Sequence, residues 1–511
     1  MTAKSRAQRR SAGDPGHVLH APAPTARNAA RALCRAAALL AMLSPLAPGA
    51  ARSATTPQVT DILPSGVPLP PPTPVEVQPS DDPTTELLGN AGGVRPWLAR
   101  HGIRINVQDV EELWGLAAGG LHPGPTYDGM TAVTLMVDTE RSLGWRDGLL
   151  NISALQIRGR SLTGERLGAL NTASGYDAGR STRLFELWYG QGFFNDRLDI
   201  RVGSIDLDTE FLVSQNASFF LNASFGWPLS TSSNLYSGGP SWPFSALGAR
   251  AKWMPIDQLV LMGAITDDNP TRGPFYSTIA PTQRDPSGTA FSTSGGTLFI
   301  GEAQFSGDVA RWTAGKDAPS LPGTWKVGGL YDTGRFPDQR YDSRGGLLAS
   351  PDSTGQPLYH HDNWMLYVVA DQMIWRAAKG SNETINVFMR ATTNDGSRNR
   401  FATEIQGGVT FDGLVPGRGD DTIGVAWGTG FYGSRAIGNA RDAMRLGTSL
   451  AGALKPEQHV EVTYQAAVTP YLILQPDFQY FWHVGGTSFD PQTGHPIANG
   501  VVLGLNLTTT F

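Results

Sequence analysis

Along most of the chain, apolar and polar side chains alternate with a period of two, the spacing of strands with two unlike faces. At the carboxyl end Val501, Leu503, Leu505, Leu507, Thr509 and Phe511 share one face, and Val502, Gly504, Asn506, Thr508 and Thr510 the other. Near the start, Ile103, Ile105 and Val107 alternate with Arg104, Asn106 and Gln108; Val133, Leu135 and Val137 with Thr134, Met136 and Asp138; Leu155 and Ile157 with Gln156 and Arg158. The same rhythm predicts strands near 184–190, 198–204, 248–254, 259–267, 297–305, 325–332, 364–375, 384–391, 401–411, 422–430, 459–468, 471–483 and 501–511, about sixteen in all. Short turns at 195–197 and 255–257 contrast with long Gly/Ser/Pro-rich connections at 161–182, 205–247, 268–295 and 333–361. Taken alone, the last stretch also fits an edge strand of a soluble sandwich. The whole pattern, even in count and asymmetric in its connections, predicts an all-β fold: a transmembrane antiparallel β-barrel with residues 103–511 forming the wall. A propeller would show a repeat, and none is visible.

Ahead of the strands the chain changes character. Residues 1–51 read as a secretory signal, with Lys4, Arg6, Arg9, Arg10, Arg27, Arg31 and Arg35 before the apolar run 36–43 and small residues at 49–51. Residues 52–86 are proline-rich and read as an extended periplasmic linker. Residues 87–102 suggest a short helix ended by Gly102.

Composition agrees with a barrel. Of 511 residues, 61 are Gly and 47 are aromatic, whereas only 17% are charged, below the roughly 25% of soluble proteins. Lipid on one face and a polar lumen on the other produce such a mixture. No apolar run is long enough for a membrane-spanning helix. The formal charge of −5 becomes about −11 once the basic signal is removed, which disfavours nucleic acid as a partner. The single Cys34 lies in the signal, leaving no disulfide or thiolate site. There is no G-x-S-x-G elbow, H-E-x-x-H or phosphate loop, and His360-His361-Asp362 sits in a loop without a third ligand, so neither an enzyme nor a cofactor or metal is expected.

Several blocks carry a resemblance. Ser153 to Gly159 (SALQIRG), Thr182 to Tyr189 (TRLFELWY), Gly203 to Phe211 (GSIDLDTEF), Phe220 to Pro228 (FLNASFGWP), Ala370 to Arg376 (ADQMIWR) and Leu474 to Tyr480 (LQPDFQY) keep their order along the barrel. Together they are similar to the carbohydrate-selective porins of the OprB type, over roughly residues 92–511. Where that family has a Trp-Gly-Gly run, this chain reads Asn90-Ala91-Gly92-Gly93. The resemblance implies an outer-membrane channel of a Gram-negative bacterium that passes monosaccharides, glucose foremost, by passive diffusion. It also implies delivery to barrel-assembly machinery through the strand ending in Phe511. A general or differently selective porin, or a plugged barrel that binds surface glycans, are alternatives, and monomer and homotrimer both stay open.

A sugar channel needs hydrogen-bonding groups and aromatic faces at a constriction. With the apolar face set on lipid, Gln156, Arg158, Arg160, Glu186, Trp188, Asp199 and Arg201 point inward, and Phe185, Leu187, Ile200 and Val202 outward; Arg183 joins the candidate path. Asp206, Asp208 and Glu210 alternate and are expected to pair arginines at the pore end, although such carboxylates could also hold calcium. The loop at 205–247 is expected to fold inward as the constriction, bringing Asn222, Trp227 and Trp242 to the path, with Trp227 equally suited to anchoring the loop by packing. The inward charges also suit a plain solvated, salt-bridged wall. Trp375, Tyr480, Trp482 and Phe511 read as interfacial girdle residues.

Overall fold

The computed structural model describes residues 83–293, 295–310, 319–378, 381–448 and 453–511. The signal segment and nearly all of the proline-rich stretch lie outside the described residues.

Sixteen strands form the wall: β1 (Ile103–Gly120), β2 (Gly124–Asp138), β3 (Gly148–Gly159), β4 (Ser181–Phe193), β5 (Leu198–Ile205), β6 (Ala246–Ile256), β7 (Leu259–Asp267), β8 (Thr297–Asp308), β9 (Pro322–Asp342), β10 (Pro357–Arg376), β11 (Thr384–Asn394), β12 (Phe401–Asp412), β13 (Thr422–Tyr432), β14 (Gln458–Thr469), β15 (Leu472–Trp482) and β16 (Ala498–Thr510). Each pairs antiparallel with its neighbours in sequence, and β1 pairs with β16 to close the barrel. Closure leaves no strand edge unpaired, which a hydrocarbon surround demands. The last strand is therefore the closing member of a barrel and not the edge of a sandwich.

The seam between first and last strands is built from small and large partners. Trp114 stands opposite Gly504 in the register, and its ring occupies the space where a Cβ on residue 504 would sit, 2.2 Å away. The indole donates to Glu112 at 2.9 Å, and Asn506 donates to the same carboxylate at 2.7 Å. Below the seam the amino-terminal segment clasps the chain end: Leu87 N–H donates to the Thr510 carbonyl at 2.8 Å, while Arg95 bonds both Glu86 and the Phe511 carbonyl. A short helix, Val94–Arg100, then leads through Gly102, at φ +74°, into β1. The turn there needs a left-handed residue.

One connection differs from expectation. Residues 333–361 are mostly strand, because β9 and β10 continue as a paired hairpin past the end of β8, leaving only 343–356 as loop. The extension rises beyond the apolar belt, so no lipid-facing row marks it in the sequence. It is held from inside instead, where Phe336 packs on Tyr236 and Phe275. The connection between β13 and β14 contains a helix, Ser434–Leu446, tied to β9 by Arg340 and Asp442 at 2.7 Å.

The seam makes a direct test. Gly504→Val places two methyl groups against the Trp114 ring and is expected to destabilise the refolded barrel by about 1 to 3 kcal/mol, read as a lower urea midpoint in the gel-shift of folded and unfolded forms.

Candidate functional site

The connection between β5 and β6 turns into the barrel and runs around the inside of the wall. Backbone N–H groups in such an irregular segment lack ladder partners. Carboxylates on inward positions of the wall supply them. Leu212 N–H donates to Glu302 on β8 at 3.0 Å, Gln215 and Asn216 N–H to Asp371 on β10 at 3.2 Å each. Leu221 and Asn222 N–H donate to Glu461 on β14 at 2.6 and 3.0 Å, and Leu229 and Ser230 N–H to Glu404 on β12 at 3.1 and 2.7 Å. Arg390 on β11 does the converse, donating to the carbonyls of Leu212, Ser224, Phe225 and Gly226 at 2.6 to 2.9 Å. All of these wall groups but Glu302 bond more than one backbone group, so a few residues fix a long segment. The loop between β3 and β4 is held likewise, with Leu170 and Asn171 N–H on Glu457.

Apolar packing covers the rest of the underside. Phe211, Leu212, Trp227 and Leu235 bury themselves against Val260, Met262, Ala264, Leu298 and Ile300 on β7 and β8. Phe220 and Phe225 pack on Phe388 and Ala426. Large stretches of the inner wall are thus apolar, because a loop and not water covers them.

Between loop and wall a cavity of about 1310 Å³ remains. It extends from Tyr276 and Arg284 among the long loops to Thr384, Asn506 and Thr508 toward the short-turn end. Its lining mixes amides and hydroxyls (Asn171, Gln215, Asn216, Asn386, Gln475) with the aromatic faces of Phe219, Tyr276 and Trp242. Of its charged groups, Asp177, Asp208, Asp371 and Asp412 outnumber Arg284 and Arg376, which makes the path net acidic.

The predicted site residues separate into four sets. Asn222, Trp227, Trp242 and Asp208 border the cavity. Among them Trp227 is buried and donates to the Gly238 carbonyl at 2.8 Å, anchoring the loop, whereas Trp242 is half-buried, stands edge-on to Tyr176 and donates its backbone N–H to the Asp208 carboxylate at 3.0 Å.

A second set forms the frame behind the loop's first turn. Arg201 lies over Trp188 at 4.2 Å and bonds Glu210 at 2.6 Å; Arg250, which sequence reasoning missed, bonds Glu210 at 2.8 Å and also reaches Asp199. Glu186 accepts from Asn151 and from the backbone N–H of Asp206. Burial raises the Asp206 and Asp208 carboxyls above the usual range; burial works the same way on Glu210, but Arg201 and Arg250 outweigh it and hold that carboxyl low. Glu210 thus turns to arginines while Asp206 and Asp208 turn to the loop. Among the described residues no group of three or more acidic, His or Cys side chains is arranged to hold a metal ion.

The third set is Arg183 alone, buried on β4 against Phe244 and the Asp285 carbonyl.

The fourth set lies on the other side of the wall. Gln156 and Arg158 face outward, and Leu155 and Ile157 inward, where they are buried with Val110, Met130, Tyr176 and Phe185. The expected parity is reversed at β3 because the inner wall here is covered by the loop that carries Tyr176. Arg160, just past the strand, is exposed and pairs with Glu165 at 2.8 Å. Phe185 is likewise inward, at 1% exposure. A bulge sets Phe185 and Glu186 together opposite Ser153, between the pairs Ile152–Leu187 and Ala154–Leu184, and turns both inward. No sequence signal marks that bulge, whereas lone carboxylates on the inward rows of β8, β10, β12 and β14 could have revealed the wall anchors.

A closed barrel of sixteen strands, narrowed by an inward loop around a polar cavity, is the architecture of an outer-membrane porin. The chain belongs to the family described as "Carbohydrate-selective porin, OprB family", whose profile matches residues 122–511, and its place is the outer membrane of a Gram-negative bacterium. It is 24% identical over 456 residues to Porin B of Pseudomonas aeruginosa, covering 83% of this chain and 91% of that one. The high-pH structure of Pseudomonas putida OprB shares the fold at a TM-score of 0.72 and 22% identity, covering 84% of this chain and 99% of that one.

Two measurements probe this site. Arg390→Ala strips the loop carbonyls of their donor and is expected to cost at least about 3 kcal/mol and to raise single-channel conductance as the constriction loosens. Burial, assisted by Glu112, pushes the Asp177 carboxyl up to about 6. The group is neutral below that value and charged above it. Preference for cations over anions is therefore expected to rise between about pH 5 and pH 7, and Asp177→Asn to flatten the rise in reversal-potential measurements.

Proposed function

We propose that the channel passes neutral monosaccharides, glucose foremost, down their gradient into the periplasm, and that Trp242, Asn216 and Gln475 contact the sugar. The observation that carries this reading is the lining: amides and hydroxyls for sugar hydroxyls, aromatic faces for the C–H side of a pyranose ring, and a net acidic charge that opposes sugar acids. Asn222, Trp227, Arg183, Glu186, Trp188, Asp199, Arg201, Asp206, Asp208 and Glu210 act as the frame that fixes the constriction. No covalent step and no energy source enter this reading. The strand ending in Phe511 serves as the address for the barrel-assembly machinery.

Single-channel recording in a planar bilayer tests the proposal. Glucose is expected to block conductance saturably while an amino acid does not, and Trp242→Ala to weaken the block about threefold to tenfold, the worth of one aromatic contact. Arg158→Gln, on the outer face, is expected to leave it unchanged. Conductance without saturable block would reduce the protein to a general pore.

A further inference from the structure

Two aromatic side chains of the inward loop border the cavity at different heights. Trp242 packs edge-on against Tyr176, which belongs to the long connection between β3 and β4. Phe219 lies lower. Together with Phe220 it is seated on Gly424, the third residue of β13, where a Cβ would stand 2.5 Å from the Phe219 ring. Its carbonyl accepts from Gln475 Nε2 on β15 at 3.0 Å. Glycine below and glutamine beside it thus hold a half-buried ring against the cavity, near the short turn that precedes β13.

The wall around that ring is a compact patch of uncharged polar groups. Asn386 on β11, Thr410 on β12 and Gly424 on β13 stand side by side in the register, and Thr422 on β13 and Gln465 on β14 stand side by side one inward step nearer the short turns. All but the glycine line the cavity. Asp412, beside them, is already spent on Thr384, Asn386 and Thr422 at 2.6 to 2.8 Å. The amides are not spent. Gln465 donates to Gln475 at 3.3 Å, and Asn386, 8% exposed, donates to Thr384 and Asp412, yet neither side-chain carbonyl accepts a hydrogen bond among the described residues. Buried polar groups are almost always bonded, so these acceptors face something that brings donors of its own. Water brings donors but gains nothing from the Phe219 ring, whereas a pyranose offers hydroxyls to the amides and a C–H face to the aromatic. There is room for more than one sugar: the cavity of about 1310 Å³ exceeds the roughly 300–1,000 Å³ of pockets that hold a single small molecule.

We propose that this lower patch is a second sugar subsite, in file with Trp242, where a neutral pyranose lies on Phe219 and gives its hydroxyl hydrogens to Asn386 and Gln465. The inference rests on the monosaccharide reading and adds that the pore holds two rings at once. Two weak sites in file suit passage better than one strong site, because a second arrival helps the first to leave.

Current noise from single channels of the full-length protein, recorded with D-glucose, separates the two sites. Wild type is expected to show two glucose-induced relaxation components. Trp242→Ala is expected to shorten one of them, and Phe219→Ala the other, about threefold to tenfold each. Gln465→Leu is expected to shorten the same component as Phe219→Ala and to keep the sugar-free conductance, since that side chain belongs to the wall and not to the loop. A single component in wild type, or two components that neither Phe219→Ala nor Gln465→Leu alters, would overturn the second subsite and leave glucose passage standing. A conducting wild-type channel with no glucose-induced noise would overturn the monosaccharide reading and the subsite with it.

Discussion

The structure depends on one constraint: a segment of irregular backbone cannot sit inside a barrel unless its amide groups find partners there. A tightly paired wall has no spare backbone groups to offer, so the partners must be side chains. Glu302, Asp371, Glu404 and Glu461 supply acceptors and Arg390 supplies donors, each from a different strand. The constriction is consequently shaped by the wall as much as by its own sequence. Removing Asp371, Glu404, Glu461 or Arg390 releases a neighbourhood of the loop rather than a single contact, because each of them holds two or more backbone groups.

That arrangement also explains what was legible in the sequence. The fold follows from alternation, since each strand separates two solvents and the pattern survives in β1, β2, β7 and β16 almost residue by residue. The same rule misassigns β3. Alternation reports which residues avoid water, and an inner wall covered by an apolar loop avoids water as well as an outer wall covered by lipid. Leu155 and Ile157 satisfy the rule from inside, and Arg158 breaks it from outside. The Phe185–Glu186 bulge adds a second source of error, because one extra residue changes parity without changing composition.

The candidate site was legible in its elements and less so in its roles. The loop lies inside the barrel, Trp242 borders the cavity, and Glu210 pairs with Arg201. Trp227 resolves as an anchor because its indole is spent on a carbonyl of its own loop. Asp199, Arg201 and Glu210 pair with one another and with Arg250 behind the loop's first turn. On the proposed reading sugar contact falls to neutral polar groups held by a frame of charged ones, and single-sequence reasoning gives more weight to charges because their types are rarer.

Tying the first strand to the last has a consequence for the order of events during assembly. Trp114 and Gly504, or Arg95 and Phe511, are contacting pairs from near opposite ends of the strand order, and neither contact exists until the last strand has been made. The seam is therefore the slowest pairing by loop-closure entropy and the one that removes the last two exposed edges. Until that moment a sheet of the other strands keeps two open edges, and the clasp of residues 86–95 on Thr510 and Phe511 closes only once both ends of the strand order are in place.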